Sequence, residues 1–330
     1  MILELAAPAS LPLGIAQING QPSLLALTVQ HPPVHLEAQA RTGLQITGPR
    51  AHIAHTYASR FYESHSLTPG AEIEIELAIP AYIGLGSDTM LALSIAKTLA
   101  WAHQRPVTDP DQVASTLNLS PVQAGEIAGF AQGGLLLASV DPTSAGDRIL
   151  RRAEIAHAER DAWAFVFHFP FPPDDTPESL ETDRLKALVN AAGLLPPDSP
   201  QIVETLFQAV SDDNLAEFGQ GLMALQKIAH EALQKSGVPI EFTSDEQKIF
   251  ELMQAEGAVA WGQSLSGYCL WGLLKGGDPS RTLRKRLTDH VGIFGGRVMA
   301  TITDNRGAKM IEKQGKLGLE NPVRPRPGVS

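Results

Sequence analysis

Residues 72–103 read EIEIELAIPAYIGLGSDTMLALSIAKTLAWAH, and this stretch decides the fold. From Glu72 to Ile79, Ile73, Ile75, Leu77 and Ile79 alternate with Glu72, Glu74 and Glu76. A period of two describes a half-buried strand. Pro80 closes it, because proline has no amide to give to a ladder. Gly84-Leu85-Gly86-Ser87 forms a loop, and from Asp88 onward Leu91, Ile95, Ala96 and Leu99 recur at helical spacing. Ser87 is the expected N-cap, and Asp88 suits the positive end of the helix.

A strand–glycine loop–helix junction presents free backbone amides where a ligand can come close. The residues support two readings: an anion site, above all for phosphate, and a tight turn without a ligand. The dinucleotide fingerprint requires a third glycine where Thr89 stands, and the Walker A loop requires a Gly-Lys-Ser/Thr triplet. Neither fits.

The 330 residues suggest two domains, and 43% hydrophobic residues provide core for both. Twenty-six basic residues against 36 acidic ones give a net charge of -10, with no basic block in the body of the chain. No nucleic-acid partner is therefore expected. A lone Cys269 excludes an intrachain disulfide and a multi-cysteine zinc site. The N-terminus has no basic run before its apolar residues, and no apolar run reaches the ~18 residues of a membrane helix. A soluble, cytoplasmic protein is the default expectation.

Along the chain, Leu24–Val29 and Val34–Ala38 read as separate short strands divided by His31-Pro32-Pro33. A third short strand spans Gly43–Ile46. Ala51–Ser64 reads as a helix; His52 and His55 stand three apart in it, without a carboxylate partner at metal spacing. A short helix is expected over Thr108–Leu117. Gly125, Gly129, Gly133 and Gly134 crowd the segment before a strand at Leu135–Val140, and read as a glycine-dense turn near the first loop or as ligand contacts. Trp163–Phe169 is an apolar strand, and His168 in it reads as a satisfied ring. Helices follow at Gln201–Val210, Asn214–Ser236, Ser244–Ala255 and Arg281–His290. Between them, strands at Ala258–Trp261 and Tyr268–Leu274 flank Gly262-Gln263-Ser264-Leu265-Ser266-Gly267. Small polar residues between glycines can bind a ligand through amides and hydroxyls, or simply turn a hairpin. Asp304-Asn305-Arg306-Gly307 is a turn after the strand Arg297–Thr303.

Four of these stretches, in order, resemble a known family. Pro80–Ala96 is similar to the phosphate-loop motif of the GHMP superfamily, and within it the loop looks like that of beta-ribofuranosylaminobenzene 5'-phosphate synthase. Ile127-Ala128-Gly129-Phe130 with Gly133-Gly134, then Gly262-Gln263-Ser264 with Gly267, and finally Asn305-Arg306-Gly307-Ala308, resemble that branch's later motifs. The resemblance implies an α+β, GHMP-type two-domain fold: an N-terminal ribosomal-S5-domain-2-like domain over residues 1–155, a ferredoxin-like domain over 156–318, and a flexible tail over 319–330. It implies condensation of phosphoribosyl pyrophosphate with a 4-substituted benzoate, releasing pyrophosphate and CO2, in methanopterin-type (tetrahydromethanopterin) pterin biosynthesis. The partners would be a phosphorylated sugar and an aromatic acid, with Mg2+ and a homodimer. Gly84, Leu85, Gly86, Ser87, Asp88 and Thr89 would hold phosphate, with Asp88 a candidate metal ligand. Gln263, Ser264, Gly267, Asn305 and Arg306 would bind substrate. No catalytic base is nominated.

The chain also departs from the family. The family's opening arginine and Ser-Arg-Leu-His run are replaced by Ala6-Ala7-Pro8-Ala9-Ser10-Leu11-Pro12-Leu13, and the loop's small residue is Asp88. Two alternatives follow. One is an ATP-dependent GHMP small-molecule kinase, for which Asp141 is the carboxylate nearest the motifs. The other is a non-catalytic metabolite-binding paralogue.

Overall fold

The computed structural model describes residues 1–105, 109–141, 148–155, 161–238 and 240–314. It opens on a long hairpin: β1 (Ile2–Ile18) and β2 (Gln21–Ala40) pair antiparallel across Asn19-Gly20. Both turn residues have positive φ, 51° and 80°, as a two-residue hairpin turn of matching twist requires. The two short strands expected before residue 40 are thus one, and β1 was not anticipated. The pairing skips between Ala7/Val34 and Ala9/Val29, so His31-Pro32-Pro33 falls in an irregularity. Prolines that would break a regular ladder are accommodated there.

The first sheet continues with β3 (Gly43–Thr47), β4 (Gly70–Leu77), β5 (Leu135–Ser139) and β6 (Ile149–Ala153). β2 changes partner along its length: residues 35–40 pair with β4 and residues 23–27 with β5. Helix α1 (Ala51–His65) crosses between the parallel strands β3 and β4. Helix α2 (Ser87–Ala102) leaves the glycine loop, followed by α3 (Pro110–Thr116) and α4 (Ala124–Gln132). α3 begins at Pro110 with Asp109 as its cap, accepting from the Asp111 amide at 2.9 Å. Thr108 lies outside the described residues.

The second sheet holds β7 (Trp163–Phe169), β8 (Ala260–Gln263), β9 (Leu270–Lys275) and β10 (Arg297–Ile302), in the order β10-β7-β9-β8. With it go α5 (Leu180–Asn190), α6 (Ser199–Ser211), α7 (Leu215–Lys235), α8 (Ser244–Ala255) and α9 (Gly277–Val291). Alternation in β7 and β9 splits their side chains. Phe165, Phe167, Trp271 and Leu273 join the large core shared with the first sheet and α6–α7. Val166, Leu270 and Leu274 join a smaller cluster with Ile249 of α8 and Leu283 of α9. The chain then returns: β11 (Lys309–Lys313) pairs antiparallel with β1, in the first sheet. The architecture is mixed α+β on two sheets, as expected from the sequence. The proposed tail at 319–330 lies outside the described residues. No helix among the described residues is long and apolar enough to cross a membrane.

Candidate functional site

The loop after β4 is built on positive φ at Tyr82 (68°), Gly84 (77°) and Gly86 (72°). Gly86 occupies the N-cap position of α2 in a left-handed conformation with no side-chain cap, so Ser87 is the first helical residue rather than the expected cap. Gly84 must be glycine for a second reason. A Cβ there would stand 2.3 Å from the Gly267 amide nitrogen, and one on Gly267 would stand 2.1 Å from the Gly84 nitrogen. The two glycine segments singled out in the sequence press backbone to backbone.

Hydrogen bonds lock that contact. Tyr268 N–H donates to the Tyr82 carbonyl and Cys269 N–H to the Ile83 carbonyl, both at 3.0 Å. Ser264 Oγ donates to the Gly84 carbonyl at 2.6 Å. Leu85 is buried and its carbonyl accepts from the Ser10 amide of β1 at 3.1 Å. Gln263, Ser264 and Gly267 therefore belong to the same neighbourhood as the loop. Gln263 is buried, and its Oε1 finds no partner among the described residues.

The amides at the junction already have an anionic partner within the chain. Gly84 N–H donates to Glu181 Oε1 at 2.9 Å and Ser87 N–H to Glu181 Oε2 at 3.3 Å; Glu181 comes from the first turn of α5. Asp88 pairs with Arg50, which caps α1 at a φ of 60°. The buried Thr89 hydroxyl donates to Glu126 of α4 and accepts from Gln123 Nε2 at 2.5 Å. Glu126 lies directly below the loop, since a Cβ on Gly86 would be 3.1 Å from its Cγ.

Three carboxylates thus converge on the junction. Burial pushes Glu126 up from the ordinary 4.5 to about 8, and the charge on Glu181 adds to the rise, while the Thr89 hydrogen bond opposes it. Burial also raises Glu181 to about 7; the Gly84 amide opposes, and the Asp88 charge assists. Here desolvation outweighs favourable hydrogen bonds. Shifts of this size collect at functional sites, where charge is held against its preference. A cavity of about 310 Å3 opens beside the loop, lined among others by Arg50, His52, Tyr82, Asp88, Glu178 and Glu181.

Asn305 and Arg306 are placed elsewhere. Asn305 clamps Ile155, accepting from its amide at 3.2 Å and donating to its carbonyl at 2.8 Å. Asp304 Oδ1 accepts from the Arg306 and Gly307 amides, both at 2.8 Å. Ala308 N–H reaches the Phe130 carbonyl, near the end of α4 opposite to Glu126. The glycines before β5 do packing work. Cβ atoms on Gly125 and Gly129 would meet Ala26 Cβ at 2.8 Å and Thr28 Cγ2 at 2.6 Å, so α4 lies tight on β2. Gly133 and Gly134 close around Arg306 and Ala153. Asp141 is exposed after β5. Pro142, which follows it, lies outside the described residues. His168 Nε2 donates to the Gly295 carbonyl at 2.6 Å.

No group of three or more His, Cys, Asp or Glu side chains among the described residues is placed to hold a metal, so neither His52 nor His55 belongs to one. A Mg2+ arriving with a polyphosphate needs less: one or two carboxylates, with phosphate and water completing its octahedron. The Thr89 hydroxyl and, in its ionised form, Glu126 beside it at the mouth of α2 are oxygen donors of that kind, and Asp88 is one once freed from Arg50.

Sequence reading missed Glu126 and Glu181 as members of this site. Glu126 carries a local signal, being the only charged residue in the otherwise apolar AGEIAGF, which forms the start of helix α4 rather than the glycine-dense turn expected there. Glu181 carries none, standing among Asp174, Asp175, Glu178 and Asp183 in a uniformly acidic stretch.

No family model matches this chain, and no curated protein matches it by sequence. Solved structures do match in fold. Mevalonate diphosphate decarboxylase from Staphylococcus aureus shares 14% identity over 94% of this chain and 99% of its own, with a TM-score of 0.65. Homoserine kinase from Cytophaga hutchinsonii shares 14% identity over 94% and 97%, at 0.60. A 4-(cytidine 5'-diphospho)-2C-methyl-D-erythritol kinase shares 20% identity over 91% and 98%, at 0.57. All three belong to the GHMP kinase superfamily.

Proposed function

We propose that this chain is a GHMP-type small-molecule enzyme that takes the phosphates of ATP at the Gly84–Thr89 junction and transfers a phosphoryl group. The observation that carries the reading is the pair of loop amides, Gly84 and Ser87, both directed at one carboxylate at the open end of a 16-residue helix. Two amides converging on separate oxygens match the demand of a phosphate. The solved relatives in fold support the choice of chemistry, since two of those above are named kinases and a further match, at 12% identity and a TM-score of 0.63, is described in complex with MVAPP, AMPPCP and magnesium.

Phosphoryl transfer asks the protein mainly for position and for positive charge. Gly84, Leu85, Gly86, Ser87 and Thr89 would cradle phosphate through their backbone and hydroxyls. Arg50 lies beside them as the cation. Gln263 and Ser264 would orient the acceptor from the facing glycine loop, with Gly267 allowing the close approach. Mg2+, held by Glu126 and Thr89, would offset phosphate charge when bound. Asn305 and Arg306 would act at one remove, by fixing the far end of α4.

A second reading, the synthase joining phosphoribosyl pyrophosphate to a benzoate, is favoured by the order of the four motifs along the chain. Thermal unfolding with Mg2+ and either ATP or phosphoribosyl pyrophosphate, the latter with 4-aminobenzoate or 4-hydroxybenzoate, separates the two. Phosphoryl transfer predicts that ATP raises the midpoint by several degrees while phosphoribosyl pyrophosphate does not. Pyrophosphate release with either benzoate would replace that reading with the synthase. No response to either ligand would leave a non-catalytic binder.

A further inference from the structure

We propose that Glu181 is an internal plug: its carboxylate fills the seat at the Gly84–Ser87 amides, and an anionic ligand enters only by displacing it. The inference rests on the reading of the junction as a phosphate site.

The geometry is that of a bound anion rather than of a local helix cap. Glu181 is distant in sequence from the loop, and its two oxygens divide between two amides. The seat has no other ligand from its own segment, because the N-cap position is a glycine without a side chain. The second positive group at the cavity is also engaged internally. Arg50 Nη2 pairs with Asp88, whereas Nη1 is buried and has no hydrogen-bond partner among the described residues. The Gly84 and Ser87 amides, the Thr89 hydroxyl and Arg50 Nη2 thus each meet a carboxylate of the chain.

The plug is held without being comfortable. Burial, and the charge of Asp88, work against the ionised Glu181, so its release into water recovers solvation that the two amides only partly replace. α5 also carries Arg184, whose Nη1 donates to the Gly267 carbonyl at 2.9 Å and whose guanidinium lies 4.8 Å from the centre of the Tyr268 ring. One helix therefore touches both glycine segments, through an acid at one and a base at the other. Withdrawal of Glu181 frees the seat, while Arg184 keeps α5 tethered to the facing loop. Arg184, Gln263 and Tyr268 all line a second cavity of about 900 Å3 on that side.

Titration with inorganic tripolyphosphate by calorimetry tests the plug, using the full chain and two variants. Glu181→Ala should bind at least tenfold more tightly than the wild type, because the seat is vacated. Glu181→Gln should fall between them, since it keeps the bulk and loses the charge. In the wild type, saturation with tripolyphosphate should increase amide hydrogen exchange in residues 178–184. A folded Glu181→Ala with unchanged or weaker affinity overturns the plug while leaving the phosphate site standing. Absence of tripolyphosphate binding by both the wild type and the variants overturns the phosphate site, and the plug with it. Should Glu181→Ala fail to fold, Glu181→Gln and the exchange measurement decide: equal affinity and unaltered exchange in residues 178–184 sink the proposal.

Discussion

The two ends of α4 make opposite use of polar groups. At its C-terminal end, Asn305 satisfies both backbone groups of Ile155, and Asp304 receives the Arg306 and Gly307 amides. At its first turn, Glu126 is buried with a raised pKa, facing a second raised carboxyl and Asp88. The far end is a clamp in which polar groups are matched. The near end holds charge that the surroundings disfavour. Under the proposed function, a phosphate, cation or proton received at the near end would relieve that discomfort.

Substitutions at the glycine contact should break that comparison most severely. Gly84→Ala combines a φ of 77° with a Cβ 2.3 Å from backbone and from Ser264 Oγ. It should lower stability by about 3 kcal/mol or more, or abolish folding, as read by denaturant unfolding. At the clamp, Asn305→Ala leaves the Ile155 amide and carbonyl unmatched and should cost about 2 kcal/mol in the same assay. Its expected effect on ligand affinity is small, which would separate clamp from site.

At the near end the sign should reverse with pH. Glu126 and Glu181 bind protons more tightly in the folded chain than in the unfolded one, rising from 4.5 to about 8 and about 7. The stabilisation this brings is complete below the unfolded value and is lost as pH rises through the folded values. Wild-type stability should therefore fall between pH 5 and pH 9. Glu126→Gln should flatten the decline and be more stable than the wild type at pH 9 by about 2 kcal/mol, after allowance for relaxation of the buried site. A wild-type profile rising over that interval would place these carboxyls in ordinary salt-bridge roles. The smallest effect belongs to Ser264→Ala, which loses the hydrogen bond to the Gly84 carbonyl and the longer one from the Ser266 amide, and should cost about 1 kcal/mol.

What the sequence made legible follows from periodicity and local chemistry. The alternation forms as β4 with Ile73 and Ile75 buried, but the strand ends at Leu77 rather than Ile79, and Leu77 is exposed where the pairing with β2 shifts register. The glycine loop and the helix after it form, and Trp163–Phe169 and Ser244–Ala255 match their elements end to end. β1 was hidden because ILELAAPASLPLGIAQI is buried along nearly its whole length, so there is no alternation to read, and its prolines mimic breaks. The Asn19-Gly20 turn was its one local signal. In the site, the glycine segments at 84 and 267 announced themselves because close approach demands glycine. Glu181 did not, because a lone acid gains its meaning from tertiary placement: only the fold brings α5 over the mouth of α2. The Asn305–Arg306 turn was visible as a motif, but the contact it makes, with Ile155 and the end of α4, was not.

The central claim is that the Gly84–Ser87 amides receive a phosphate. The most direct test follows the backbone resonances of Gly84 and Ser87 during titration with ATP and Mg2+. Both amides should shift strongly and saturably, ahead of amides at Asn305–Gly307. Saturation of the protein with ATP while Gly84 and Ser87 remain unmoved would contradict it.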